Sequence, residues 1–327
     1  MEKGGTNASM RWRALGIGML ALAAVYGALN WMSLKPEATA ALEYVRANAV
    51  SWSSPVAVEG VAAVLIDAET GEELYGKNVD KRLYPASTTK ILTALIALER
   101  GELGDRIAVG DEVNLRTADE SSAWLREGQL LTLRDLLSAM MLPSGNDAAR
   151  TIARYVARKE KGRDVSAEEG IRYFAELMNE KAKELGARRS HFVNPHGLHD
   201  PEQYTTARDM ARIAQAAMKL EAFRDIVNER EHTAAFAASK VTYENRNQLL
   251  QPGSPYYLEE ADGIKTGFTD EAGYCLVSSA SRGGTRLIAV VLRSTQDSVW
   301  SDSRRLLQYG FAEKGVPSAA SGAMPAG

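Results

Sequence analysis

The chain has 327 residues, of which 45% are hydrophobic and 25% charged, and its formal net charge is −3. This composition is ordinary for a globular protein and excludes a wholly disordered chain or a multi-span membrane protein. The charge balance, and a sequence without basic runs interleaved with aromatic residues, exclude a nucleic-acid partner. The single cysteine, Cys275, excludes an internal disulfide and a cysteine-rich zinc module. We expect neither a metal nor a cofactor.

The N-terminal segment 1–34 is predicted to be a signal anchor or a signal peptide. Arg11 and Arg13 precede an uncharged run from Ala14 to Leu34, long enough to span a bilayer, which takes about 20 apolar residues. Arginines before such a run favour export of the rest of the chain. The length favours an uncleaved anchor, and cleavage at Ala38-Thr39-Ala40 is the alternative. The remainder is therefore expected outside the cytoplasm, anchored at the cell membrane by this segment or secreted.

Residues 35–54 are predicted to be a linker, residues 55–313 a folded domain and residues 314–327 a disordered tail. Hydrophobic periodicity and turn residues predict the elements of the domain in chain order. These are a strand hairpin over 61–68 and 74–75, helices at 87–100, 132–142, from 146, 168–185 and 206–220, strands at 273–280 and 286–292, and a helix at 298–309. This order predicts an α+β (mixed α/β) domain, with an antiparallel sheet built from both chain ends, flanking helices and a helical middle.

The first candidate for chemistry is Ser87-Thr88-Thr89-Lys90 at a predicted helix start, where Ser87 and Lys90 share one face. A serine hydroxyl needs a base before it can act as a nucleophile, and the chain has no Gly-x-Ser-x-Gly segment. A lysine can be that base if burial, the positive helix end and a second cation lower its pKa. The alternative is a helix-capping serine with a solvated lysine.

Two further segments follow in the chain. Pro143-Ser144-Gly145-Asn146 lies at a break between helices, and its alternative interpretation is a turn with Asn146 as a helix cap. In Asp262 to Gly267, Lys265 and Thr266 begin a strand edge and Gly267 allows a ligand to approach the backbone. The three segments in this order resemble the motif set of penicillin-binding proteins and class A β-lactamases, in which the middle motif is given as Ser-Asp-Asn where this chain has Ser144-Gly145-Asn146.

With these segments, the chain resembles the serine-type D-alanyl-D-alanine carboxypeptidases, low-molecular-mass penicillin-binding proteins of the S11 peptidase family with a fold like that of β-lactamases. The resemblance extends over residues 83–92, 140–149, 194–198, 205–210 and 262–276. It implies a sheet flanked by helices, with the reactive serine at the start of a buried helix. It also implies peptidoglycan stem peptides ending in D-Ala-D-Ala as substrates and β-lactams as inhibitors.

The resemblance also assigns a role to each motif residue. Ser87 would attack the peptide carbonyl, Lys90 would take its proton, Ser144 would relay that proton, and Asn146 would hold Lys90 and the substrate amide. Substrate binding would fall to Lys265 and Thr266 on the terminal carboxylate, to Gly267, and to the backbone N–H of Phe268, which would form an oxyanion hole with that of Ser87.

Some relatives hold the carboxylate with an arginine after the last core strand, where this chain has Trp300, and Arg293 or Arg304 could replace it. The rival functions are a β-lactamase, disfavoured by the flanking residues, and a catalytically silent penicillin-binding scaffold of the cell wall. A zinc site at His196 and His199 is disfavoured by their spacing.

Overall fold

The computed structural model describes residues 56–236 and 239–317. The predicted N-terminal segment, the whole predicted linker and residues 318–327 of the predicted tail lie outside these ranges. Within the described ranges, no helix combines the length and apolar character needed to cross a membrane.

The described part of the chain folds into seven α-helices and nine β-strands. The helices are α1 (Lys90–Arg100), α2 (Leu133–Met141), α3 (Asn146–Lys161), α4 (Ala167–Glu184), α5 (Ala207–Met218), α6 (Glu221–Asn228) and α7 (Ser298–Glu313). The strands are β1 (Ala62–Asp67), β2 (Glu73–Lys77), β3 (Arg106–Ala108), β4 (Leu130–Thr132), β5 (Glu231–Phe236), β6 (Ser239–Glu244), β7 (Ala261–Thr269), β8 (Gly273–Arg282) and β9 (Thr285–Ser294).

The central sheet has five strands in the order β2-β1-β9-β8-β7, and every neighbouring pair is antiparallel. Both chain ends contribute strands, so the predicted α+β architecture is confirmed. Because side chains alternate between the faces of a strand, Leu65 and Ala289 pack under α7 with Phe311, while Val64 and Val290 are buried on the opposite face. Helix α5 contacts β1 and β9. The sheet is thus covered on both faces.

Helix α1 lies at the centre of the helical part. It contacts each of the helices α2 to α6 as well as strand β7. Ile91, Leu92, Leu95 and Ile96 are all buried, on more than one face of the helix, as expected for a helix enclosed by neighbours. Any group at the start of α1 is therefore held by packing from several directions.

The predicted helix at 132–142 is confirmed as α2, and other local predictions are corrected. Thr132 caps α2, since its hydroxyl accepts the backbone N–H of Asp135 and the Asp135 carboxylate accepts that of Thr132. The predicted helix at 87–100 has a different beginning, because Ala86–Thr89 form a 3₁₀ turn before α1. Helix α6 and the hairpin of β5 and β6 were not anticipated. Strand β7 begins before Lys265, which lies inside the strand and not at its start.

The described fold continues beyond α7. The Lys314 ammonium lies 3.0 Å from a carboxylate oxygen of Asp67 and 2.8 Å from one of Glu72, which joins the C-terminal end of α7 to the turn between β1 and β2. The described residues end at Pro317, a few residues beyond the predicted domain boundary.

Candidate active site

Ser87 lies in the 3₁₀ turn that leads into α1. Pro85 precedes this turn, and Ala86 adopts a left-handed φ of 47°, an uncommon conformation for a residue with a Cβ. The turn places the Ser87 hydroxyl oxygen 3.0 Å from the Lys90 amine, so the two groups that the sequence paired are in contact.

The Lys90 side chain is fully buried and its amine has three partners. Besides the Ser87 oxygen, these are the Asn146 side-chain oxygen and the His196 backbone carbonyl, both at 2.6 Å. An ammonium can donate to all three, whereas a neutral amine has two N–H donors and one lone pair. The Asn146 and His196 oxygens can only accept hydrogen bonds. In the neutral form, both N–H groups of Lys90 therefore point to these two oxygens. The lone pair then faces the Ser87 hydroxyl.

Burial and charge both act on the protonation of Lys90. Its pKa lies well below the ordinary lysine value, first because burial disfavours the charged amine and second because the Lys265 ammonium lies nearby. Arg150 also lowers the pKa, while Glu120 and Asp147 raise it. The net effect favours the neutral amine that a general base requires.

The second motif borders Lys90 from the start of α3. Asn146 is its first residue, and its backbone N–H donates to the Ser121 carbonyl at 2.9 Å. Ser144 precedes it with a left-handed φ of 69°. The Ser144 hydroxyl oxygen is buried and has no hydrogen-bond partner among the described residues. Buried polar groups without partners are rare, and one in a cleft is free to bond a ligand.

The third motif lies on β7, the edge strand of the sheet. Lys265 is almost fully buried, and burial together with the Arg246 guanidinium lowers its pKa to about 7. A Cβ on Gly267 would lie 3.1 Å from the Ser87 nitrogen, so the close approach of strand and turn leaves little room for a side chain. Phe268 is half exposed and packs against Tyr274, with 4.5 Å between ring centroids.

These elements enclose a cleft of about 540 Å³. Six of the eight predicted site residues line it, namely Ser87, Ser144, Asn146, Thr266, Gly267 and Phe268. Lys90 and Lys265 are buried beside them. The structure therefore brings together all three motifs, from the 3₁₀ turn, the start of α3 and the edge strand β7.

Residues 48–296 match the model of the S11 peptidase family, described as D-alanyl-D-alanine carboxypeptidase. The chain belongs to this family. It is 35% identical to the D-alanyl-D-alanine carboxypeptidase DacF of Bacillus subtilis over 80% of its own length and 64% of that protein. It is also 35% identical to the D-alanyl-D-alanine carboxypeptidase of Streptomyces sp. strain K15, over 81% of its own length and 91% of that protein.

The crystal structure of the Streptomyces K15 DD-transpeptidase superposes on this chain with a TM-score of 0.72. The two share 34% sequence identity, and the match covers 79% of this chain and 99% of that one. The predicted DD-peptidase fold is confirmed. The chain spans less than two thirds of the length of DacF, so the match to that protein covers only part of it.

An arginine that the sequence analysis missed lines the cleft. Trp300 also lines it, is 7% exposed and stacks on Tyr256. Of the described arginines, Arg246 lines the cleft. Arg293 and Arg304, the two that the sequence suggested for the carboxylate, do not line it. Arg246 is exposed and lowers the pKa of Lys265, which places its charge near the Lys265-Thr266-Gly267 motif.

Gly197 is the second residue whose importance the sequence did not reveal. It follows His196 with a left-handed φ of 89°, and a Cβ on it would lie 1.9 Å from the Ala86 carbonyl oxygen and 3.0 Å from the Ser87 nitrogen. Gly197 therefore supports the turn that carries the predicted nucleophile. The sequence signals were the resemblance over residues 194–198 and a Pro-His-Gly turn, and neither indicates what packs against Gly197.

The remaining candidates have other surroundings. The His196 ring is buried, its Nδ1 accepts the Leu198 N–H, and burial lowers its pKa well below the ordinary value. The His199 ring meets that of Tyr84 edge-on. Within residues 56–236 and 239–317, no group of three or more histidine, cysteine, aspartate or glutamate side chains could hold a metal ion. Cys275 is buried, which raises the pKa of its thiol to about 11.

Proposed function

We propose that this protein is a serine-type D-Ala-D-Ala carboxypeptidase that removes the terminal D-alanine from peptidoglycan stem peptides. The observation that carries the proposal is the contact between the Ser87 hydroxyl and the fully buried Lys90 amine at 3.0 Å. Names of relatives support the substrate class, since DacF and the K15 protein are both called D-alanyl-D-alanine carboxypeptidases.

In the acylation step, the Lys90 lone pair takes the proton of the Ser87 hydroxyl while the oxygen attacks the carbonyl between the two D-alanines. A C–O bond forms and the carbonyl oxygen becomes an oxyanion. The backbone N–H groups of Ser87 and Phe268 bind this oxyanion, and one such donor contributes about 2.7–4 kcal/mol to catalysis in a well-studied hydrolase. The close approach of Gly267 to the Ser87 nitrogen supports this pairing of donors.

Collapse of the tetrahedral species breaks the C–N bond and needs a proton on the leaving amine. The unpartnered Ser144 hydroxyl relays it from Lys90 to the D-alanine nitrogen. Asn146 holds Lys90 through its side-chain oxygen, and its amide N–H₂ is available to the substrate. Water then attacks the ester carbonyl with Lys90 again as the base. The C–O bond to Ser87 breaks, which releases the shortened peptide, and the proton taken by Lys90 returns to the Ser87 oxygen.

The terminal carboxylate of the substrate binds between β7 and Arg246. Thr266 lines the cleft, Lys265 is buried behind it, and Arg246 faces the same space. A cationic Lys265 and the Arg246 guanidinium both favour an anion there. This arrangement gives Arg246 the role for which the sequence offered Arg293 or Arg304.

The proposal also includes acylation of Ser87 by β-lactams, whose carboxylate and amide carbonyl resemble the scissile peptide. Peptidoglycan lies outside the cytoplasm, so the proposal retains the extracytoplasmic location and the attachment by segment 1–34. That attachment is supported by the sequence alone.

A second candidate reaction is transpeptidation. The match to the K15 structure covers 99% of the K15 chain, and that structure is of a DD-transpeptidase. In that reaction an amine in place of water attacks the acyl-enzyme. The two reactions share the acylation step and differ only in the acceptor.

The experiment incubates the detergent-solubilised full chain with benzylpenicillin, and separately with diacetyl-Lys-D-Ala-D-Ala with and without glycylglycine. We expect an adduct on Ser87 by mass spectrometry, none in Ser87→Ala, and D-alanine release with hydrolysed peptide as the product. A glycylglycine-extended product would establish transpeptidation. Rapid penicillin hydrolysis would indicate a β-lactamase, an adduct without peptide turnover a silent scaffold, and no adduct would refute the proposal.

A further inference from the structure

A buried ion pair borders the candidate site and has no role in the steps above. The Arg150 guanidinium donates to both oxygens of the Glu120 carboxylate, each at 2.6 Å. The Arg150 side chain is 3% exposed and that of Glu120 is fully buried. Removing two charges from water is costly, and a two-point pair of this kind recovers much of that cost only when its geometry is good.

The pair joins two parts of the site. Glu120 precedes Ser121 in the loop before β4, and Arg150 lies one turn after Asn146 in α3. The Ser121 carbonyl accepts the Asn146 N–H at 2.9 Å, and its hydroxyl accepts from the Arg246 guanidinium at 2.9 Å. The position of Ser121 therefore affects both the residue that holds Lys90 and the arginine beside the carboxylate motif.

The charges of the pair oppose each other at Lys90. Glu120 raises the pKa of the Lys90 amine and Arg150 lowers it. Three other titratable or charged groups face Lys90, namely Lys265 from β7, Asp147 from α3 and His196 from the loop after α4. Because Lys265 is already a nearby cation, an unbalanced guanidinium would add a second one, and an unbalanced carboxylate would hold Lys90 in its charged form.

We infer that Glu120 and Arg150 form a charge-balanced positioning pair, which fixes Ser121 against Asn146 and Arg246 and keeps the pair's net charge beside Lys90 at zero. This inference rests on the proposed function, because it assigns the pair a task in acylation by Ser87. Neither side chain reacts. Each oxygen of Glu120 accepts one N–H of Arg150, and Oε2 also accepts the Thr117 hydroxyl at 3.3 Å, so the carboxylate is held in place.

The test compares Glu120→Gln, Arg150→Met and the double variant in the full chain. The rate constant for acylation of Ser87 by a fluorescent penicillin is measured from pH 5 to pH 10. The acid limb of this profile follows the pKa of Lys90, because only the neutral amine accepts the serine proton.

In Glu120→Gln the guanidinium of Arg150 is unbalanced, so the pKa of Lys90 falls and the acid limb moves to lower pH. In Arg150→Met the carboxylate is unbalanced, so the acid limb moves to higher pH. We expect shifts on the order of one pH unit in opposite directions. The maximal rate falls about 10- to 100-fold in each single variant as Ser121 moves. The double variant returns the limb to the wild-type position.

Shifts in the same direction, or unshifted limbs with reduced rates, would overturn the inference and leave a purely structural pair. If a single variant does not fold, the double variant decides. An acid limb at the wild-type pH supports the inference, and an acid limb displaced from that pH overturns it. The titration of Lys90 is also followed by NMR of its ¹³Cε resonance, which needs no catalysis. A wild-type chain without acylation would refute the proposed function, while the NMR shifts would still test the pair.

Discussion

Replacing Gly197 with alanine should displace the turn that carries Ser87. The new methyl group would lie 1.9 Å from the Ala86 carbonyl oxygen, which is inside van der Waals contact, and the residue would also keep a left-handed φ of 89°. Gly162 provides the matched control. It has a left-handed φ of 64° at the end of α3, and a Cβ there would meet nothing within 4 Å.

The two substitutions separate backbone strain from steric overlap. A left-handed conformation costs a residue with a Cβ about 1–2 kcal/mol, which is the whole effect expected for Gly162→Ala. Overpacking of a filled site adds about 1–3 kcal/mol, so Gly197→Ala should lower the free energy of unfolding by about 2–5 kcal/mol. Movement of the Ser87 N–H away from the oxyanion should also slow acylation by about 10²–10³-fold.

Urea unfolding at pH 7 gives the two stabilities, and fluorescent penicillin gives the two acylation rates. Gly162→Ala should acylate at the wild-type rate, because its change lies far along α3 from the cleft. The reasoning is refuted if Gly197→Ala acylates as fast as Gly162→Ala. Equal losses of stability in the two variants would show that Ala86 moves aside without cost.

Three further predictions concern other parts of the site and the fold. In Arg246→Gln the pKa of Lys265 should rise from about 7, so that Lys265 keeps its charge to higher pH. The alkaline limb of the kcat/KM profile for peptide hydrolysis then moves to higher pH. KM at neutral pH increases about tenfold, because the substrate carboxylate loses the Arg246 cation. Asp147→Asn weakens the hydrogen bonds that hold the loop 116–126, so hydrogen exchange there should accelerate in mass spectrometry. Thr132→Ala should cost about 1 kcal/mol in urea unfolding and leave acylation unchanged.

Much of the fold could be predicted because its signals are local. The capping pair of Thr132 and Asp135 is three residues apart, and the apolar spacing of α1 lies within one helix. Helix α6 and the hairpin of β5 and β6 escaped prediction. Strand β5 has no run of β-branched residues. Exposed residues alternate with less exposed ones along it, but the inward positions hold His232 and Ala234, which give no strong apolar signal in the sequence. Its pairing with β6 is set by backbone hydrogen bonds that composition does not reveal.

The candidate site divides in the same way. The contact of Ser87 with Lys90 could be predicted from their spacing of three residues. The motif set predicted that Asn146 and Lys265 lie at the same site. The pairing of Glu120 with Arg150 joins residues 30 positions apart, and neither residue type is unusual in a loop or a helix. Their partnership depends on burial, which only the packed structure supplies.

Two buried lysines in this site have opposite tasks in the proposed reaction. Lys90 acts as a neutral base, whereas Lys265 acts as a cation toward the substrate carboxylate, although burial lowers the pKa of both. A carboxylate bound beside Lys265 favours its charged form, and a charged Lys265 lowers the pKa of Lys90. Binding of the substrate anion therefore favours the neutral amine next to Ser87. The same charge that holds the substrate prepares the base, which explains why the proposed site uses two lysines so close together.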